Sequence, residues 1–321
     1  MMHTQRIFSA SDLLSNCGRL VCEIHGVDVH LNFQPAASTS ADTLIIGFHG
    51  SVDRSNRSVP AFIPFLPGVG GDVHQLTIAD PSLRTTPEIA MAWFAGDSEF
   101  EAQKLLPDFF HSISQVLDVR RTIYFGTSGG GFAALFYSRQ HSGSLALVGN
   151  PQTNISGFYP RHVTSYLSSC WPGVSSLAAI SDRVQSDLST VYSEGVIENY
   201  VLYLQNSTDD YHLFGHMAPF MSAIKVMATR KRIASTCFFP GKIGHNPVWE
   251  MFLPWLQAVI MSQDWMAQTI LTTHHYLKEI KSEANGSVQE TDENISNRKS
   301  LLQSSIITAD FLRDYQLRKG K

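Results

Sequence analysis

The sequence predicts an α/β fold built on a mainly parallel sheet. Three observations carry this. Short apolar runs bounded by turn residues recur along the chain, helical patterns separate them, and an alternating, β-branched stretch opens the series. With 321 residues, 43% hydrophobic and 16% charged, the chain can bury a large core.

The elements follow in order. Residues 18–36 alternate apolar and polar around Gly26, the pattern of an antiparallel hairpin. Residues 43–48, TLIIGF, form a continuous apolar run suited to a strand covered on both faces, and they end in His49-Gly50-Ser51. Residues 73–79 are a further strand, closed by Asp80-Pro81. Residues 98–118 carry Phe100, Leu105, Leu106, Phe109, Phe110, Ile113 and Val116, which fit a helical face, with Pro107 expected to bend or split the helix. Then come a strand at 121–126, a helix from 129 to 140 and a strand at 144–149. Residues 151–198 lack a single period and carry Pro151, Pro160 and Pro172, so they read as a cap-like insertion. A strand at 200–204, a helix at 215–230, a strand at 233–239 and a helix at 247–262 complete the alternation. The expected organisation is one domain over 1–280, a linker over 281–299, where Ser, Asn, Glu, Asp and Gly take over, and a C-terminal helix within 300–321.

Composition removes several function classes. The net charge is −4 and no basic stripe is present, so nucleic acid is not an expected partner. No run of about 18 apolar residues predicts a transmembrane segment. Residues 1–11 contain one Lys or Arg and no apolar h-region, so no secretory signal is expected. Cys17, Cys22, Cys170 and Cys237 form no CxxC pair and are expected as free thiols. Together these features predict a cytoplasmic location.

The chemistry centres on Gly126-Thr127-Ser128-Gly129-Gly130, which matches G-x-S-x-G. A predicted strand feeds the motif and a glycine-led helix leaves it. A serine on such a turn projects its hydroxyl above the sheet, and glycines two residues away avoid a clash. The loop lacks the Lys-Ser/Thr of a P-loop and the G-x-G-x-x-G of a dinucleotide site. Over residues 18–262 the chain resembles the α/β-hydrolase superfamily. More narrowly, FGTSGGGFAALFYS followed by NPQTNI resembles a bacterial hydrolase-like group associated with surface-polysaccharide biosynthesis.

The resemblance implies a mostly parallel central sheet with helices on both faces, an N-terminal antiparallel hairpin and an inserted cap-like excursion. It also implies the chain order Ser, acid, His. Ser128 is the expected nucleophile. Asp209, in the loop after strand 200–204, is the first choice for the acid, with Asp210 as the alternative. His245, beside Gly244 and just before a helix, is the expected base. The oxyanion hole is assigned to the backbone N–H of Gly129 and of Ser51, with Gly50 as second choice for the latter. His49 is expected as a buried residue holding that turn.

Asn150 and Gln152, at the carboxyl edge of the sheet, are candidates for substrate contact. His212 and His216 are expected at a rim or as helix caps, and His274-His275 at the surface. Trp93 and Asp97 are assigned to core or surface. No metal or cofactor is needed.

The expected activity is cleavage of a carboxylic ester or other acyl bond through an acyl-enzyme. The expected substrate is a small-molecule or saccharide acyl ester. Acyl transfer would use the same triad, and a non-catalytic interaction protein on the same fold is the rival outside enzymology. The sequence sets no oligomeric state.

Overall fold

A computed structural model describes residues 4–245 and 249–286. Among these, nine strands form one sheet: β1 (Gln5–Ile7), β2 (Gly18–Ile24), β3 (Val27–Gln34), β4 (Thr43–Phe48), β5 (Val73–Ile78), β6 (Arg121–Thr127), β7 (Leu145–Gly149), β8 (Tyr200–Asn206) and β9 (Ile233–Phe238). Their order is β1-β2-β3-β5-β4-β6-β7-β8-β9. The six strands from β5 to β9 in that order run parallel, and β3 pairs antiparallel with both β2 and β5. The β2–β3 hairpin is the expected one. His25 (φ 48°) and Gly26 (φ 79°) form its two-residue connection, and positive φ at both positions suits the twist of a tight hairpin.

The helices are α1 (Ala102–Val116), α2 (Gly129–Arg139), α3 (Pro160–Cys170), α4 (Leu188–Ser193), α5 (Asp210–His212), α6 (Ala218–Ala223), α7 (Met227–Arg230), α8 (Trp249–Met261) and α9 (Ala267–Gly286). They cover both faces. On β6, Tyr124 packs into one core while Ile123 and Phe125 pack into the other. On β7, Ala146 and Val148 face the first, and Leu145 and Leu147 the second. An apolar run with no polar face is therefore what these strands require.

The structure departs from the sequence expectations in a few places. Pro107 neither splits nor ends α1. It is the sixth residue of α1, past the first turn, so the helix continues through it without the bond that its N–H would have made. The helix expected at 215–230 is instead four short pieces. It starts at Asp210, widens into a π-turn over Leu213–Met217, continues as α6, and breaks before α7. Ile224 and Val226 adopt extended backbone at that break. Within 151–198 lie α3 and α4, and an isolated bridge joins Asn154, ahead of α3, to Asp187, the cap of α4. The backbone of α9 runs on to Gly286. The rest of the linker and the C-terminal helix expected within 300–321 lie outside the described residues.

The register aligns the carboxyl ends of the central strands. Phe48 of β4 pairs with Gly126 of β6, Thr127 with Gly149 of β7, and Gly149 with Leu204 of β8. The chain goes from β4 to β5 on one side and then to β6 on the other, so the strand order reverses at β4. The segments that leave β4, β6, β7 and β8 converge at this reversal, where open α/β sheets bind ligands.

Candidate active site

Ser128 stands between β6 and α2 with φ 55° and ψ −123°. A residue with a Cβ is strained in that region, so the fold holds it there. The glycines around it are steric necessities. A Cβ on Gly126 would lie 2.1 Å from the carbonyl oxygen of Gly130, and one on Gly130 would lie 2.4 Å from that of Phe48. The turn is that tight because α2 starts directly beneath the end of β4. Gly129 opens α2, so its N–H belongs to the first turn, where helices leave donors without intrahelical partners. The same helix end favours negative charge.

The turn after β4 is set by His49. Its Nε2 accepts the backbone N–H of Asp80 at 3.1 Å, and its Nδ1–H donates to the carbonyl of Gly50 at 2.7 Å. Both bonds need a neutral ring. Burial lowers the imidazole to about 4 and keeps it neutral. In a trans peptide the carbonyl and the following N–H point opposite ways. With the Gly50 carbonyl held on His49, the N–H of Ser51 points away from that ring. Gly50 and Ser51 both line the cleft that contains Ser128.

Asp209 is buried and sits in the loop after β8. Four donors surround its carboxylate. Oδ2 accepts Nδ1–H of His245 at 2.7 Å and Nδ2–H of Asn150 at 3.1 Å. Oδ1 accepts Nδ1–H of His212 at 3.0 Å and the backbone N–H of the same residue at 3.4 Å. Burial alone would raise this acid. The hydrogen bonds from His212 and His245 outweigh that effect and hold it well below the usual carboxylate range. Asp210 is exposed and begins α5.

The acid loop and the histidine loop are clamped together. Nδ2–H of Asn206 donates to the Gly244 carbonyl at 2.6 Å. The Gly244 N–H donates to Oγ1 of Thr208 at 3.2 Å, and that hydroxyl donates to Oδ1 of Asn206 at 3.0 Å. This brings His245 over Asp209 although it lies on a partly exposed loop.

Of the two candidates for substrate contact, Asn150 is fully buried behind the acid. Its amide is taken at both ends, by Asp209 and by the N–H of Asn206. It faces the acid rather than the cleft. Gln152 is also buried, and its Nε2–H donates to Ser128 Oγ at 3.1 Å. Its Oε1 accepts the indole N–H of Trp93. Ser128 and His245 share the cleft, but no hydrogen bond joins them. Such links are often loose before substrate binds.

His212 and His216 are not rim residues, because both are buried. His216 takes the Thr153 N–H on its Nδ1 at 3.3 Å, which ties the π-turn to the segment carrying Gln152. Its ring stays neutral, lowered to about 4 by burial and by His212 beside it. His274 stacks on Trp255, while His275 is exposed. Asp97 is buried and paired with Arg84, away from the cleft-lining residues. Trp93, expected in the core or at the surface, is buried and reaches Gln152, and His212, expected at a rim or as a cap, is buried against Asp209. His212 carried one signal, its place three residues after a helix-capping aspartate. Trp93 carried none.

Among the described residues, Asp209, His212 and His245 offer ligand atoms within 4.8 Å of one another, close enough to share a cation. The same spacing results when one carboxylate accepts from two imidazoles, which is the arrangement present. The cleft has a volume of about 600 Å³ and is also lined by Phe158, Tyr159, Arg161 and Tyr211. No helix among the described residues is long and apolar enough to cross a membrane.

No protein-family model and no curated protein sequence matches the chain. Solved structures do. The capsule O-acetyltransferase of Neisseria meningitidis serogroup A superposes with a TM-score of 0.52 at 14% identity, over 80% of this chain and 95% of that one. Its H228A mutant in complex with CoA gives 0.50 at 14% identity, over 79% and 94%. Dipeptidyl peptidase 4 of Porphyromonas gingivalis gives 0.52 at 12% identity over 75% of this chain, which spans 35% of that longer protein. At these identities the likeness is one of fold. Strand order, the serine turn at the sheet reversal and these superpositions agree that the chain has the α/β-hydrolase fold.

Proposed function

We propose that the protein is a serine-dependent acyl-ester hydrolase that acts on O-acylated saccharides. The observation that carries this reading is the meeting of three elements in one cleft. Ser128 stands strained at the end of β6, and His245 lines the same cleft, oriented through Nδ1 by the buried Asp209.

In this reading Ser128 Oγ attacks the ester carbonyl and passes its proton to Nε2 of His245, the nitrogen that Asp209 leaves unoccupied. Asp209 fixes the ring and stabilises the imidazolium. The N–H groups of Gly129 and Ser51 hold the oxyanion. The imidazolium then protonates the leaving alcohol. Water, deprotonated by the same imidazole, releases the acid from Ser128.

Phe158, Tyr159 and Tyr211 line the cleft, and aromatic side chains suit the apolar face of a sugar ring. A second reading keeps the same residues and replaces water with a sugar hydroxyl, giving acyl transfer. The fold likeness to a capsule O-acetyltransferase, solved also with CoA, favours considering it.

The test is to incubate the purified protein with an O-acetylated oligosaccharide and with 4-nitrophenyl acetate, with and without free sugar acceptor, and to analyse products by mass spectrometry. Free acetate in both settings supports hydrolysis, and acetyl groups appearing on the acceptor support transfer. Folded protein that releases acyl groups from neither ester contradicts the proposal.

A further inference from the structure

The acid of the site carries two histidines, and the proposed reaction uses one. His212 is buried, and its Nδ1–H donates to Oδ1 of Asp209 at 3.0 Å while His245 uses Oδ2. The two imidazoles lie face to face, 4.3 Å between centroids and 19° between planes. His212 Nε2 is buried without a hydrogen-bond partner. The ring is therefore not part of a longer relay. Its one strong polar contact is the carboxylate.

We propose that His212 is a positioning residue, which holds the Asp209 carboxylate through Oδ1 while His245 takes Oδ2, and backs the catalytic ring by stacking. This inference rests on the reading of Ser128, His245 and Asp209 given above. Without the His212 ring, Oδ1 keeps only the long 3.4 Å bond from the His212 backbone N–H, and the carboxylate is freer to turn about its Cβ–Cγ bond and carry His245 with it. With Asn150 and His245 on Oδ2 and His212 on Oδ1, that rotation breaks a bond in either direction.

The local fold serves the same arrangement. Asp209 caps α5, which puts the third helical residue, His212, over the cap's own side chain. The π-turn that follows is anchored through His216 to Thr153, next to Gln152. Widened turns of this kind are frequent at functional sites. Burial lowers the His212 imidazole below its ordinary value. His212 also lines the cleft wall, and in this proposal its effect passes through Asp209.

Three variants of the full chain separate the donor from the bulk. His212→Asn keeps an N–H near the position of Nδ1. His212→Leu has nearly the shape of asparagine and no donor. His212→Phe keeps the stacked ring and no donor. Loss of a hydrogen bond to a charged group predicts that Leu and Phe lower kcat by about 10-fold or more, with KM changed by less than about 2-fold. Asn is expected to retain kcat within about 3-fold.

The second readout is the proton NMR spectrum, which does not depend on turnover. The His245 Nδ1–H, bonded at 2.7 Å to a carboxylate, is expected far downfield in wild type and in Asn, and broadened or lost in Leu and Phe. Equal kcat in Asn and Leu, or a His245 proton unchanged in Leu, overturns the proposal. Wild-type protein inactive on every ester overturns the hydrolase reading instead. In that case the NMR comparison still decides whether His212 positions the pair.

Discussion

The indole N–H of Trp93 donates to Oε1 of Gln152, and this bond decides which end of the Gln152 amide faces Ser128. Indole nitrogen is a donor only, so it must meet the amide oxygen. The amide nitrogen is then left to donate to Ser128 Oγ. With that lone pair occupied by Gln152, the serine proton is free to point toward a base. Gln152 is also held through its backbone, whose N–H donates to the Ser128 carbonyl at 3.1 Å. The expected consequence is that Gln152→Leu lowers kcat on acyl esters by about 10-fold, the size of one lost hydrogen bond of about 1 kcal/mol. Trp93→Phe, which lets the amide flip, is expected to lower it by about 10-fold. Steady-state kinetics on 4-nitrophenyl acetate check both, and a Gln152→Leu enzyme with unchanged kcat contradicts this role.

The two neighbouring aspartates make a sharp comparison. Asp209 is buried and accepts from both histidines, whereas Asp210 is exposed. Asp209→Asn puts a donor where His245 needs an acceptor and is expected to reduce kcat by about 10⁴-fold. Asp210→Asn is expected to stay within about 3-fold. If only the Asp210 variant loses activity, the acid is misassigned.

The Asn206–Thr208–Gly244 clamp predicts a different signature. It sets where His245 hangs without touching the reaction. Thr208→Val removes both of its hydroxyl bonds while keeping the shape. The expected result is a fall in kcat of roughly 10-fold, with the thermal midpoint lowered by only a few degrees. A large loss of stability with intact kcat would show that the clamp serves the fold and not the site.

Stability should depend on pH through His49. Burial lowers its folded-state value from 6.5 to about 4. Between those values the unfolded chain binds a proton that the folded protein does not. The contribution of His49 is therefore complete above about pH 6.5 and lost as the pH falls toward 4. The shift corresponds to about 3 kcal/mol. Asp80, pushed up by burial from 3.8 to about 7, works in the opposite direction over a similar range, so the informative quantity is the difference between wild type and His49→Gln. Chemical denaturation at pH 7 and pH 4.5 is expected to show the variant losing less stability than wild type across that interval. Equal losses contradict a neutral, buried His49.

Much of the fold was legible because its strands are apolar on both faces. TLIIGF, RTIYFG and SLALVG announce themselves by composition, and the glycines after Ser128 mark a close approach that few residues tolerate. The order of Ser128, Asp209 and His245 follows from the resemblance those glycines carry. What stayed hidden depends on contacts between distant segments. Trp93 lies in a loop without a period and reaches Gln152 only through the fold. Asn150 stands beside Gln152 in sequence, yet its amide turns to Asp209 because Asn206 on the next strand takes its oxygen. The 215–230 segment read as one helix because its apolar spacing persists through the π-turn and the break near Ile224, where backbone geometry rather than composition changes.

The central claim is that Ser128 is an activated nucleophile. Its most direct test is labelling of the intact protein with a fluorophosphonate probe, comparing wild type with Ser128→Ala and locating the adduct by peptide mass spectrometry. The account predicts a covalent adduct on Ser128 in wild type and none in the variant. Well-folded wild-type protein that takes up no label, or takes it up equally after Ser128→Ala, would contradict it and leave a non-catalytic protein on this fold as the better description.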